Sequence, residues 1–291
     1  MATDNAPWTV LRLINWTRDF FQKASFEEPR LCAEVLLAYA LGCKRIELYT
    51  RFNYEPTPDE RTRFKALIQR AQEHEPIAYI VGEKEFYSLK FKITPDVLVP
   101  RSETEMLVRE AVEHLHRLGP LGNVWDACTG SGCVAVAIAS QVRDAMVLAT
   151  DISEVALAVA RENAELNKVA DRVKFCQANL LDRPADCSEP KLFEVITANP
   201  PYVAANQYIT ESVRREPAIA VHGGKEGLDF IGPIVTKAPD LLRSGGALIM
   251  EYGFGQADVV RDLLVATGEF AEPKIFRDHQ DIERSVMAVR K

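Results

Sequence analysis

The chain has 291 residues, 47% of them hydrophobic and 26% charged, with 35 Lys and Arg against 42 Asp and Glu for a net charge of −7. That balance belongs to a globular protein long enough for one large and one small domain. It disfavours sequence-independent nucleic-acid binding, which depends on neutralising phosphates, and no apolar run is long enough to make a membrane-spanning helix.

The first residues, Met1-Ala2-Thr3-Asp4-Asn5, lack the basic and apolar regions of a signal peptide, so the expected location is cytoplasmic. Residues 8–23 predict a helix from the spacing of Val10, Leu13, Ile14 and Trp16, with Phe20 and Phe21 beyond. Residues 31–41 form an Ala/Leu/Val run that Gly42 stops. After Pro56 and Pro58 a further helix is expected over 59–73; its Arg61, Arg63, Lys65 and Arg70 read as a solvated face. Residues 1–83 therefore read as a small helical bundle with no catalytic constellation. Residues 84–98 alternate through Phe86, Leu89, Phe91 and Ile93, as a β-hairpin linker does.

From residue 99 to 291 strand and helix patterns alternate, which predicts an α/β domain with a doubly wound sheet and helices on both faces. Ser102-Glu103-Thr104-Glu105 has the pattern of a capping box for a helix with Leu107, Ala111 and Leu115 on one face. His114 and His116 are assigned to the solvated side of that helix, and no metal-ligand spacing is present. Strands are expected at 173–177, 193–198, 247–251 and 285–290. The six cysteines, Cys32, Cys43, Cys128, Cys133, Cys176 and Cys187, contain no C-x-x-C pair and are expected as reduced, partly buried thiols.

Two motifs carry chemistry. Val124-Trp125-Asp126-Ala127-Cys128-Thr129-Gly130-Ser131-Gly132-Cys133 reads as strand, glycine turn and helix start. Gly130 and Gly132 permit a tight turn and close backbone approach to a ligand. The next apolar run, 145–150, ends in Asp151, placed to hold a ribose diol; the alternative is that Asp151 and Ser153 simply cap the following helix. The second motif is Asn199-Pro200-Pro201-Tyr202, directly after the apolar strand 193–198. Two prolines cannot continue a central strand, so the chain leaves the sheet at Asn199. Its side chain then sits at the carboxyl end of the strand, where open α/β sheets bind ligands. An Asn there offers one acceptor and one donor pair, suited to a planar NH2. Alone, either motif is an ordinary turn more often than a site; their order raises the odds.

D-x-x-T-G-S-G, an acidic strand end and N-P-P-Y together resemble class I S-adenosylmethionine-dependent methyltransferases acting on planar nitrogen. Glu75-Pro76-Ile77-Ala78-Tyr79-Ile80-Val81-Gly82, Glu85-Phe86-Tyr87, Val97-Leu98-Val99-Pro100-Arg101-Ser102-Glu103-Thr104-Glu105, Glu216-Pro217, Gly245-Gly246 and Arg277-Asp278 are similar to a narrower family, the bacterial peptide chain release factor glutamine N(5)-methyltransferases. The resemblance implies S-adenosylmethionine as cofactor, with Cys128, Thr129, Gly130, Ser131 and Gly132 along its methionine end. It puts Asp151 on the ribose and Asp126 on the loop or the cofactor's amino group. Asn179 and Leu180 line the adenine, and Asn199, Pro200, Pro201 and Tyr202 hold and methylate the substrate amide. The chain departs from the family pattern at Ser102, usually Pro; at Asn179, often Asp; and at Cys128, usually Gly. The implied substrate is the glutamine of the Gly-Gly-Gln motif in class I release factors, with residues 1–83 as a docking domain and neither membrane nor direct nucleic-acid contact. The rival readings are a ribosomal-protein glutamine methyltransferase, a nucleic-acid adenine N(6)-methyltransferase, and a non-catalytic cofactor-binding interaction module.

Overall fold

A computed structural model describes residues 7–119, 122–184, 187 and 190–291. Contacts divide the chain into two compact units, Met1–Gly82 and Glu83–Lys291.

In the first unit, α1 (Val10–Lys23) starts at Thr9, whose side chain accepts from the Arg12 amide at 3.3 Å. α2 (Pro29–Leu41) ends at Gly42, which takes the left-handed conformation that favours glycine, φ 63°. α3 (Pro58–Gln72) opens with a capping box between Thr57 and Glu60, and the short α4 (Ile77–Val81) ends at Gly82. The core holds Val10, Leu13, Ile14, Phe21, Leu36, Leu37, Phe64 and Ile68. Trp16 departs from the expected apolar face. It is half-exposed, stacked on Phe20 at 5.6 Å and edge-on to Trp8 at 6.3 Å. Buried Glu34 accepts from Arg30 (2.9 Å), Arg45 (3.0 Å) and Tyr49 (2.8 Å). On α3, Arg61 and Arg70 pair with Glu55 and Glu75 near solvent.

The second unit opens with the hairpin β1 (Glu83–Phe86) and β2 (Leu89–Lys92). Next come α5 (Glu105–Leu118), β3 (Gly122–Ala127), α6 (Cys133–Gln141), β4 (Ala145–Asp151), α7 (Glu154–Leu166), β5 (Val173–Gln177) and β6 (Phe193–Ala198). The chain finishes with α8 (Ala218–Val221), α9 (Ile231–Leu241), β7 (Leu242–Glu251), α10 (Ala257–Ala266), β8 (Lys274–Arg277) and β9 (Glu283–Val289). Seven strands form one sheet in the order β5-β4-β3-β6-β7-β9-β8. The first five are parallel and β9 is antiparallel to both its neighbours. Every residue of β6 is buried, as expected of a central strand covered on both faces. The order reverses between β3 and β6, so the crevice at their carboxyl ends is the topological switch point.

The hairpin docks onto α7. The Lys92 amide donates to Asn163 Oδ1 at 2.7 Å, Asn163 Nδ2 donates back to the Lys92 carbonyl at 3.0 Å, and Asn167 Nδ2 donates to the Lys90 carbonyl at 2.9 Å.

Two expectations are corrected. Ser102–Thr104 form a 3-10 turn, and Thr104, which precedes α5, has αR backbone angles and no capping bond. The Thr104 hydroxyl is drawn instead to Glu251. Leu107, Ala111 and Leu115 are buried as expected. His114 is buried as well, with Nε2 at 2.9 Å from the Gly245 carbonyl oxygen, and burial lowers its pKa; only His116 lies on the solvated side.

Candidate active site

Four side chains stand at the carboxyl ends of parallel strands: Asp126 on β3, Asp151 on β4, Asn199 just after β6, and Glu251 on β7. A cavity of about 160 Å³ opens there, lined by Asp126, Cys128, Thr129, Gly130, Ser131, Asp151, Asn179, Leu180, Asn199 and Pro201 among others. Residues 126, 128–131, 133, 151, 179–180, 199 and 201 thus converge on one space from distant parts of the chain. Gly132, Pro200 and Tyr202 do not line it.

Asp126 is buried and joins the two motifs: Oδ2 accepts from the Thr129 hydroxyl at 2.6 Å and Oδ1 from the Thr197 hydroxyl at 2.7 Å. Burial pushes its pKa up to about 6 despite those two bonds. The loop is closed by Gly132 N donating to the Thr129 carbonyl at 2.8 Å, and Thr129 N donating to the Thr150 carbonyl at 3.0 Å. A Cβ on Gly132 would come within 2.9 Å of Ala160 Cβ, so glycine is what lets the loop close on α7. Cys128 takes φ 57°, which explains why glycine suits this position. Its thiol is driven up by burial and by Asp151 and Asp126, so it stays protonated and non-nucleophilic.

Asp151 Oδ2 accepts from the Gly130 amide and Oδ1 from the Ser153 amide, both at 2.9 Å. Ser153 caps α7 by accepting from the Ala156 amide, so the capping alternative holds for Ser153, while Asp151 ties the start of that turn to the glycine loop. A carboxylate has about four acceptor sites, and the two that remain suit a diol. Its pKa is raised by burial.

Asn199 Nδ2 donates to the Thr104 hydroxyl oxygen at 3.2 Å; Thr104 Oγ1 donates to Glu251 Oε2 at 2.7 Å; Tyr202 donates to Glu251 Oε1 at 2.8 Å. Tyr202 packs its ring on the sheet core. Nearby, Glu216 is buried and receives Arg101 and, at 3.1 Å, the Val99 amide, so the Pro100-Arg101 and Glu216-Pro217 motifs meet.

Sequence reasoning missed Thr104 as a partner of Asn199, and also Thr197, Glu251, Asn163 and Ile152. Asn163 Nδ2 holds the Ser131 carbonyl at 2.9 Å while gripping β2, tying the glycine loop to the hairpin. Ile152 is half-exposed on the cavity wall, and an apolar residue directly after an acidic strand end was its only signal. Among the described residues no cluster of His, Cys, Asp and Glu could hold a metal ion. All six cysteines are thiols.

Two carboxylates at the loop disfavour a pyrophosphate there and suit a phosphate-free nucleoside bearing a positive charge. Solved structures share this fold. The catalytic domain of hMettl16, in complex with MAT2A 3′UTR hairpin 6, aligns with TM-score 0.54 and 16% identity over 70% of this chain and 76% of that one. A methyltransferase from Pyrococcus furiosus aligns with TM-score 0.51 and 19% identity over 77% and 96%. Fold and site define a class I, Rossmann-like methyltransferase. Residues 12–82 match the PrmC N-terminal domain and residues 103–252 the methyltransferase small domain. The release factor glutamine methyltransferases of Rhodopirellula baltica and Geobacter sulfurreducens are 41% and 38% identical, covering 97% and 96% of both chains. The chain belongs to the release factor glutamine methyltransferase family, and its cofactor is S-adenosylmethionine. No described helix is long and apolar enough to cross a membrane.

Proposed function

We propose that this chain methylates the side-chain amide nitrogen of the Gly-Gly-Gln glutamine in class I release factors. Asn199, held on the cavity wall at the switch point by Thr104, carries the reading. When bound, S-adenosylmethionine supplies an electrophilic methyl on a sulfonium, so formation of the nitrogen–carbon bond is matched by cleavage of the carbon–sulfur bond. Asp151 would hold the ribose, Asn179, Leu180 and Ile152 would flank the base, and residues 128–131 would accommodate the methionine end, with Gly132 letting the loop close on α7. Asp126 orients that loop through Thr129.

A glutamine amide is a weak nucleophile because its lone pair is delocalised. Asn199 Oδ1 on the cavity wall, with the adjacent Pro200 carbonyl, would accept the amide N–H bonds and hold the nitrogen in place for transfer. Positioning of this kind supplies up to roughly 7–11 kcal/mol. Both acceptors strengthen their bonds as the nitrogen gains positive charge, and the product loses its proton to water. Pro201 stiffens the turn and Tyr202 braces Glu251 behind Asn199. Residues 1–83 serve as the release-factor docking domain, with 84–98 joining them to the catalytic residues 99–291. The protein acts in the cytoplasm without membrane or direct nucleic-acid contact.

Intact-mass spectrometry of a class I release factor incubated with this protein and S-adenosylmethionine tests the proposal. One methyl mapped to the Gly-Gly-Gln glutamine is expected; methyl transfer to another protein's glutamine or to an adenine instead would overturn it.

A further inference from the structure

We infer that Glu251, acting through Thr104, determines which way round the Asn199 amide is held, with Nδ2 towards Thr104 and Oδ1 left for the substrate. The inference rests on the reading of Asn199 as the acceptor for the substrate NH2.

A side-chain amide presents nearly the same shape in both orientations, one offering an acceptor and the other two donors. Only the first can receive a substrate NH2; the second sets donor against donor. Something next to Asn199 must therefore distinguish oxygen from nitrogen. Thr104 cannot do so alone, since a hydroxyl donates or accepts as its neighbours require. Its neighbour is Glu251, 147 residues away in sequence and buried at the end of β7. An ionised carboxylate only accepts. The Thr104 proton is thus committed to Glu251 Oε2 at 2.7 Å, and Oγ1 faces Asn199 as an acceptor at 3.2 Å. Against an acceptor, Asn199 must turn its nitrogen.

Tyr202 completes the device. Its hydroxyl donates to Oε1 at 2.8 Å, so each oxygen of Glu251 has its own donor and the carboxylate plane is fixed. The last residue of N-P-P-Y thereby helps orient the first, although its side chain lies outside the cavity wall. Thr104 and Glu251 are positioning residues; neither needs to touch the reacting nitrogen.

The test combines a substrate-free readout with a kinetic one. In the full chain carrying labelled Thr methyl groups and Asn amides, a cross-peak between the Thr104 methyl and the Asn199 NH2 is expected in the wild type. Glu251→Met removes the committed acceptor and should abolish or shift that peak. The same variant should lower kcat about 100-fold, as loss of one oriented hydrogen-bonding group does, with cofactor affinity measured by calorimetry unchanged. Thr104→Val should lose a similar factor, Thr104→Ser should stay near wild type, and the Glu251→Met/Thr104→Val double variant should be no worse than either single. Additive losses, a failed serine rescue, or an unmoved cross-peak in Glu251→Met would each overturn the inference. If Glu251→Met does not fold, the valine–serine pair decides: equal rates for Thr104→Val and wild type would overturn it. A wild type that shows the cross-peak yet methylates no release factor would sink the substrate reading while leaving the amide orientation standing.

Discussion

The helical unit and the catalytic unit both bury carboxylates, and they satisfy them in opposite ways. Glu34 in the helical unit is pushed up by burial, but Arg30, Tyr49 and Arg45 more than offset this, and its pKa ends below the ordinary 4.5. Asp126 and Glu251 in the catalytic unit are as deeply buried, yet their direct side-chain partners are hydroxyls. There burial wins and both pKa values rise. A carboxylate given cations serves the fold; one given only hydroxyls keeps its charge available at a site and holds the fold less well.

The largest effect expected is on rate. Asn199 is linked to the buried Glu251 through a single bond to Thr104. Asn199→Ala should cost about 3 kcal/mol of transition-state stabilisation, about 100-fold in kcat. Cofactor affinity and melting temperature should hardly move, because neither carboxylate network loses a charge. Near-wild-type methylation by this variant would remove the role assigned to Asn199.

Asp126→Asn probes the unpaired class directly. With a folded pKa near 6 against an ordinary 3.8, wild-type Asp126 binds more protons folded than unfolded. Its cost to stability is therefore complete above pH 6 and relieved as pH falls from 6 towards 3.8, by about 3 kcal/mol in all. The Asn variant should be more stable than wild type at pH 8, with the advantage vanishing near pH 4, while binding the cofactor less well because the loop is differently held. Urea melts across pH measure this, and an advantage that grows on acidification would contradict the assignment.

Glu34→Gln should do the reverse. Glu34 has a lowered pKa, so its stabilisation is present above the ordinary carboxylate value and lost as pH falls through the lowered one. The variant should be destabilised by about 1–3 kcal/mol at pH 7, with the deficit closing in acid and cofactor affinity untouched. A change in cofactor binding would break the division between the two units.

What could be read from the sequence follows the range of the interactions. β3, β4 and β6 announce themselves because strands covered on both faces become continuous apolar runs, and Pro200-Pro201 marks where β6 must stop. The glycine loop is local and was legible with it. Thr104 and Glu251 were not: their partners lie 95 and 147 residues apart, and Thr104 sits in a run that imitates a capping box. His114 occupies a helical position that composition assigns to solvent, but packing brings it to the Gly245 carbonyl. β8 is a four-residue edge strand with exposed Lys274 and Arg277 at its ends, the charged design that protects sheet edges and hides them from pattern reading.

The smallest effect separates backbone strain from charge. Cys128 sits in the same loop as Thr129, one of the two partners of Asp126, in left-handed backbone at φ 57°. A non-glycine residue there costs roughly 1–2 kcal/mol relative to one without a Cβ. Glycine also gains freedom in the unfolded chain, which returns part of that difference. Cys128→Gly should thus raise stability by about 0.5–1 kcal/mol. Because the half-buried thiol stays protonated, the gain should be the same at pH 5 and pH 8. That flat profile distinguishes it from Asp126→Asn a few residues away: a gain that varied with pH would mean that the substitution acts through the carboxylates and not through the turn.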